Sequence, residues 1–386
     1  MAHQSFISHP EIMMLEEGDI GKVKLFLRKF YGEHFYGADD RYFDWLYMQN
    51  PCQWFAPYRQ NGLISVNAVV DSLGELEAIH AFLPFDAINS NGGAKGVWDV
   101  EWINGSERRG VGRMLAQALL DAADLYAGYG CNDLSARAFA KMGMQVFPEI
   151  HRAVFVMDEN ILKDLIGGIE PNIHEIPIHA SGSKSGAGDW KTVNCIAELS
   201  DTLCDSHLQK VSLGAGRSEE WLKWRYENHP YIDYDIVIPQ DCDGDVAAIV
   251  RREEIENSEY CVVRILELFA PRSKIAQLLK ACLGFAQNHD AVLIDYFNAS
   301  EIEIVNLLRI ADEIGWKGQQ TPRLPYMFQP LAYGTKNAPN IVVSSGDLEK
   351  ITELSLSQFW ASKGDSNQDV LRSSVSAPDL KVNKSN

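Results

Sequence analysis

The strongest constraint on how this chain can fold is a repeat within it. The segments FDWLYMQNP (43–51) and LKWRYENHP (222–230) share Trp-x-Tyr and a closing proline. Trp45 therefore answers Trp224, Tyr47 answers Tyr226 and Pro51 answers Pro230, each 179 residues further on. Around both segments, strand and helix patterns follow in the same order. In the first half, LISVNAVVD, ELEAIHAFLPFDAI and VWDVEWI read as strands, before a glycine turn and an apolar helix. In the second, YCVVRILELFA, the helix SKIAQLLKACLGFAQ, the strand AVLIDYF and the helix IEIVNLLRIADEIG repeat that succession. A chain of 386 residues has room for about two domains of roughly 150 residues each. Duplication of one α/β unit with a mixed sheet is the expectation.

The boundaries follow from composition. Residues 1–156 form the first unit. The stretch 157–191, rich in Gly, Ser and Pro, reads as a linker. The second unit runs over 192–370, and the tail 371–386 lacks apolar residues to bury and reads as disordered. With 35 Lys and Arg against 53 Asp and Glu, the net charge of −18 disfavours a nucleic-acid partner. The seven cysteines are scattered, without Cys-x-x-Cys, which fits free thiols in a reducing compartment. No signal peptide and no membrane-length apolar run is visible, so the expected location is cytoplasmic.

Against this acidic background, ERRGVGRMLAQALLDAADLY (107–126) opens with three arginines around two glycines. A strand, a Gly-x-Gly turn and a helix make an anion site, because the first helical N–H groups point outward and the helix dipole favours negative charge. Gly110 and Gly112 let a phosphate approach the backbone, and Arg108, Arg109 and Arg113 add positive charge. The turn follows the fourth strand, lacks Gly-x-Gly-x-x-Gly, and has no Gly-Lys-Ser/Thr, so neither a dinucleotide fold nor a Walker loop fits.

Here the sequence resembles the GCN5-related N-acetyltransferase superfamily. The family pattern Gln/Arg-x-x-Gly-x-Gly/Ala is matched by Glu107–Gly112 except at its first position. Its later pattern, Asn-x-x-Ala-x-x-x-Tyr-x-Lys-x-Gly-Phe, corresponds to Asn132, Ser135, Phe139, Lys141, Gly143 and Met144. The tandem arrangement and the late GDSNQD (364–369) resemble a bacterial two-domain subgroup associated with surface polysaccharide pathways. The resemblance implies acetyl-CoA as co-substrate. Its pyrophosphate would lie on main-chain N–H groups of Arg109, Gly110, Val111, Gly112 and Arg113, its pantetheine along Trp102 and Ile103, with Asn132 nearby. Two departures stand out: Glu107 brings a negative charge to the turn, and Phe139 stands where many members carry a proton-donating Tyr. Tyr126 and Tyr129 are the substitutes near enough in sequence. The second half has no equivalent turn, since ELFAPRSKIAQLL passes from strand to helix through Pro271 and Arg272. That copy is expected to have lost coenzyme binding.

Acyl transfer to an amine needs a group that accepts the ammonium proton. In VWDVEWI, Asp99 and Glu101 share one face by strand alternation, with Glu101 the preferred base. Trp45, Tyr47, Trp224 and Tyr226 are candidates to stack on a flat acceptor such as an amino-sugar nucleotide, with a place in the core as the competing role. His80 and His151 read as lone strand histidines satisfied in place, and no histidine spacing supports a metal. Two rivals remain open: an aminoacyl or peptidyl transferase, and a non-catalytic scaffold on the same fold.

Overall fold

A computed structural model of the chain describes residues 11–89, 92–148, 150–169, 187–199, 213–242, 244–255, 258–320, 341–345, 359–362 and 364–365. Two mixed sheets carry the fold. The first runs β1 (Met13–Glu16), β2 (Leu63–Val70), β3 (Leu76–Asn89), β4 (Gly92–Asn104) and β5 (Leu125–Tyr129), side by side. The second contains β7 (His151–Val156), β8 (Trp190–Val193), β10 (Asp235–Pro239), β11 (Ala247–Glu254), β12 (Cys261–Phe269), β13 (Ala291–Asn298) and β14 (Gln319–Gln320). Three more strands complete the first sheet: β6 (Gln145–Phe147), β9 (Leu213–Ala215) and β15 (Ile341–Ser345), with β16 (Phe359–Trp360) beside β9.

Each sheet has a parallel pair at its centre, β4 with β5 and β12 with β13, flanked by antiparallel strands, and the short β16 adds a second parallel pairing, with β9, in the first sheet. A parallel pair needs a crossover, supplied by helix α2 (Val111–Ala122) in the first half and α5 (Ile275–Asn288) in the second. Helix α1 (Ile20–Tyr31) buries Val23, Phe26 and Leu27 against one side of the first sheet, as its apolar spacing requires. Helices α3 (Asp133–Lys141) and α6 (Glu301–Glu313) follow β5 and β13. Within the stretch expected to be a linker, 159–169 forms α4 (Glu159–Ile169), while 170–186 and the tail 371–386 lie outside the described residues.

The two halves exchange strands. VFPEIHRAVFVMD reads as one strand closing the first unit, but it divides. Gln145–Phe147 stays in the first sheet, and His151–Val156 pairs with β13 in the second. In return β15, far along the chain, inserts between β5 and β6. The repeated Trp-x-Tyr segments form the seam. Each begins as a short α-helix, Asp40–Phe43 or Glu219–Leu222, and widens into a π turn. Trp45 and Trp224 stack at 5.0 Å and 18°. Each indole N–H donates to the other tryptophan's carbonyl at 2.8 Å. Reciprocal bonding of this kind is what a pseudo-two-fold axis through duplicated segments produces.

Candidate active site

Pairing between β4 and β5 stops at Asp99 and Gly128, while β4 continues to Asn104. Beyond that point the strands fork, and the starts of α2 and α3 border the opening. Gly110 has φ +89°, a left-handed conformation that only glycine adopts without strain, and nothing stands within 4 Å of where a side chain would begin. The first helical bond runs from the Met114 N–H to the Gly110 carbonyl. The N–H groups of Val111, Gly112 and Arg113 are thus left facing out of the helix start. Trp102 ties β4 to this turn, its Nε1 donating to the Gly112 carbonyl at 3.0 Å. Asn132 caps α3, its Oδ1 accepting from the N–H groups of Leu134 and Ser135.

The three arginines divide. Arg109 and Arg113 are exposed, with no ion pair among the described residues. Arg108 is already engaged, Nε with Glu77 at 3.2 Å and a terminal nitrogen with Glu11 at 3.5 Å, so it braces the turn instead of waiting for an anion. Ile103 and Val111 are buried, so what they offer a ligand is main chain.

Asp99 and Glu101 do not share a face. Ala81 pairs with Glu101 and Phe82 with Asp99, so Val100 is the extra residue of a β-bulge. The bulge reverses the alternation between the two carboxylates. Asp99 points to the α2–α3 side, where its Oδ1 lies 2.6 Å from His80 Nε2, and the buried Tyr126 hydroxyl stands 3.3 Å from the same nitrogen. Tyr126 also hydrogen-bonds Asp99, and burial first, Asp99 second, push its phenol above the ordinary range. His80 Nδ1 is buried without a partner among the described residues. Phe139 packs between Trp102 and Tyr126, with ring centres 4.8 Å and 5.6 Å away. The proton-bearing phenol nearest the Phe139 position is therefore on β5.

Glu101 faces the α1 side and is only 8 % exposed. It hydrogen-bonds Tyr31, and the phenols of Tyr36 and Tyr47 lie within its field. It has no ion pair among the described residues. Burial pushes its carboxyl up to about 8 and Asp99 adds to the rise, while the Tyr31 hydrogen bond opposes it. Tyr31 keeps 41 % of its surface exposed and stacks on Phe35 at 4.4 Å, so the phenol bonded to Glu101 belongs to an aromatic pair at the surface. No sequence signal singled out Tyr31; its role comes from α1 ending beside the bulge.

The second half repeats this plan and then closes it. Pairing of β12 with β13 ends at Ile265 and Tyr296, and Leu266 is bulged, which puts Glu267 at the step Glu101 occupies. Tyr226 donates to Glu267 at 2.9 Å. Here, however, Arg217 also reaches Glu267 at 2.9 Å and Asp365 at 2.7 Å, and Ser362 donates to Glu267 at 2.8 Å. The late segment with Gly364 and Asp365 is thus a plug. A side chain at Gly364 would start 2.0 Å from the Tyr226 hydroxyl, so the plug fits only with glycine there. Tyr226 donates to Glu267, the buried Tyr47 phenol lies within the field of Glu101, and Trp45 and Trp224 fill the seam. All four are at most 5 % exposed, which leaves no face on which an acceptor could stack. Among the described residues no cluster of three or more His, Cys, Asp or Glu could hold a metal, and no helix is long and apolar enough to cross a membrane.

No protein-family model matches the sequence, and no curated protein matches it. Solved structures do. A GCN5-related N-acetyltransferase from Kribbella flavida aligns at TM-score 0.51 and 14 % identity, over 88 % of this chain and 72 % of that one. A probable N-acyltransferase from Enterococcus faecalis aligns at TM-score 0.50 and 12 % identity, over 89 % and 74 %. The chain has the GCN5-related N-acetyltransferase fold. At these identities the likeness concerns the fold, and the chemistry has to come from the site.

Proposed function

We propose that the protein is an N-acyltransferase that moves an acyl group, acetyl in the first instance, from a CoA thioester directly to an amine. The observation that carries this is the fork itself: β4 and β5 part after Asp99 and Gly128, with a basic glycine turn on one side and, on the other, a buried carboxyl that has no cation among the described residues. In this reading the turn and the exposed Arg109 and Arg113 hold the pyrophosphate, and the pantetheine runs along β4 by Trp102. Main-chain N–H at the Val100 bulge polarises the thioester carbonyl. The amine nitrogen attacks that carbonyl carbon, the C–S bond breaks, and the amine proton passes to Glu101. The leaving thiolate takes a proton from the Tyr126 hydroxyl, which His80 and Asp99 hold in place and through which it is restored. No nucleophilic side chain is needed, since direct transfer balances without an acyl-enzyme.

The fitting acceptor is a small amine entering past Tyr31. An amino-sugar nucleotide agrees with the resemblance to surface-polysaccharide proteins, and a cytoplasmic location agrees with both. The charge of −18 argues against an aminoacyl-tRNA donor. A non-catalytic scaffold is the second reading, favoured by Glu107 and Phe139. The two are separated by measuring release of CoA thiol from acetyl-CoA with a panel of amines, amino-sugar nucleotides included. Amine-dependent release that is lost in Gly110→Val is the expected result. Binding of acetyl-CoA with no release on any amine would favour the scaffold.

A further inference from the structure

The second fork is plugged on the Glu267 side but not on the other. On the α5–α6 side lies a cavity of about 150 Å³, with walls from Leu268 at the end of β12, Ile275 at the start of α5, and Leu307 and Ile310 on α6. Tyr296 forms its floor, at the step where the first half has Gly128. Register therefore places this cavity where the first half would hold pantetheine. It cannot serve the same ligand, because α5 is entered through Pro271 and a single turn at Arg272–Lys274 with no glycine pair, and the Tyr296 ring occupies the base of the fork. What it offers is a half-open, mainly apolar pocket whose lining also includes two charged side chains, Arg272 and Glu303. Arg272 is exposed and has no ion pair among the described residues, whereas the adjacent Lys274 is taken by Asp245.

We infer that this cavity is a second ligand site, which takes the hydrocarbon portion of a small amphipathic carboxylate whose head is met by Arg272. Size sets the length: an apolar protein cavity of about 150 Å³ holds benzene, so about six carbons fit. Charge sets the head group, since Arg272 at the mouth has no ion pair among the described residues and a guanidinium engages carboxylates in bidentate fashion. The inference stands independently of the chemistry assigned to the first fork.

The probe is hexanoate, titrated into protein with 13C-labelled Ile and Leu methyl groups, with hexylamine as the opposite-charge control. Saturable shifts of cavity methyl signals with hexanoate and none with hexylamine are expected. Arg272→Gln, an exposed change, should weaken hexanoate about tenfold or more, the value of one charge-assisted contact. Asn306→Phe, on the half-buried rim, should fill the cavity and abolish binding while the melting curve stays that of a folded protein. Absence of saturable binding, binding unchanged in Asn306→Phe, a preference for hexylamine, or displacement of hexanoate by acetyl-CoA would each overturn the assignment.

Discussion

Glu101→Gln is expected to lower turnover by about a hundredfold to ten-thousandfold, the range that a positioned general base contributes. The substitution keeps the shape of the side chain and its contact with Tyr31, so coenzyme affinity should change little. The pH profile carries the sharper signature. Burial raises the Glu101 carboxyl from its ordinary 4.5 to about 8, so the wild type should gain activity as pH rises through about 8 and level off above it. Gln cannot titrate, and the variant's residual rate should lack that limb. Stability moves the other way. Because the folded-state pKa lies above the unfolded one, the folded protein binds the proton more tightly, and stability falls as pH rises from about 4.5 to about 8. Gln stays neutral throughout, so the variant should outlast the wild type in denaturant at pH 9 while being the poorer catalyst. A variant with unchanged rate and unchanged pH profile would remove Glu101 from the chemistry.

The second large effect is on folding. Among the described residues Arg217 is the cation bonded to both Glu267 and Asp365, all three are fully buried, and Arg217 also stacks 4.1 Å over Trp221. Burial alone would lower the guanidinium's pKa, but the carboxylates of Asp365 and Glu267 hold it above its ordinary value. Arg217→Met leaves two carboxyls without their charge partner. Removing one member of a buried pair costs about 3–5 kcal/mol, and this loss should appear as a shifted denaturation midpoint at neutral pH. The deficit should shrink as pH falls, because burial already raises the Glu267 carboxyl, which then becomes protonated. Combining Arg217→Met with Glu267→Gln and Asp365→Asn should restore much of the stability, since the uncompensated charges are then gone. A single variant as stable as the wild type would mean that the plug contributes nothing to the fold.

Much of this architecture is legible in the sequence because local signals carry it. The Gly-x-Gly turn after a strand and each nine-residue Trp-x-Tyr segment depend on residues close together in sequence. The strand exchange does not. Nothing between Gln145 and Val156 says that Pro148 divides one apparent strand between two sheets, because the pairing partners lie in β13 and β15. The bulge at Val100 is equally silent. A two-residue alternation puts Asp99 and Glu101 together, and a single extra residue parts them. The seam tryptophans look like a stacking platform until their partner proves to be each other. The link between Arg217 and Asp365 spans 148 residues, so GDSNQD has no meaning in sequence until the second fork is seen.

Calorimetric titration with acetyl-CoA reads out whether the turn at Gly110 cradles a CoA thioester. The wild type should bind with micromolar affinity, about −8 kcal/mol. Gly110→Val, which forces a branched side chain into the left-handed conformation and the open space beside it, should abolish the heat signal. The surface double change Arg109→Glu and Arg113→Glu should weaken binding while leaving the fold intact. If the wild type gives no heat, or if all three proteins bind alike, the basic turn is only a charged helix start, and the account of the first fork as an acyl-transfer site fails.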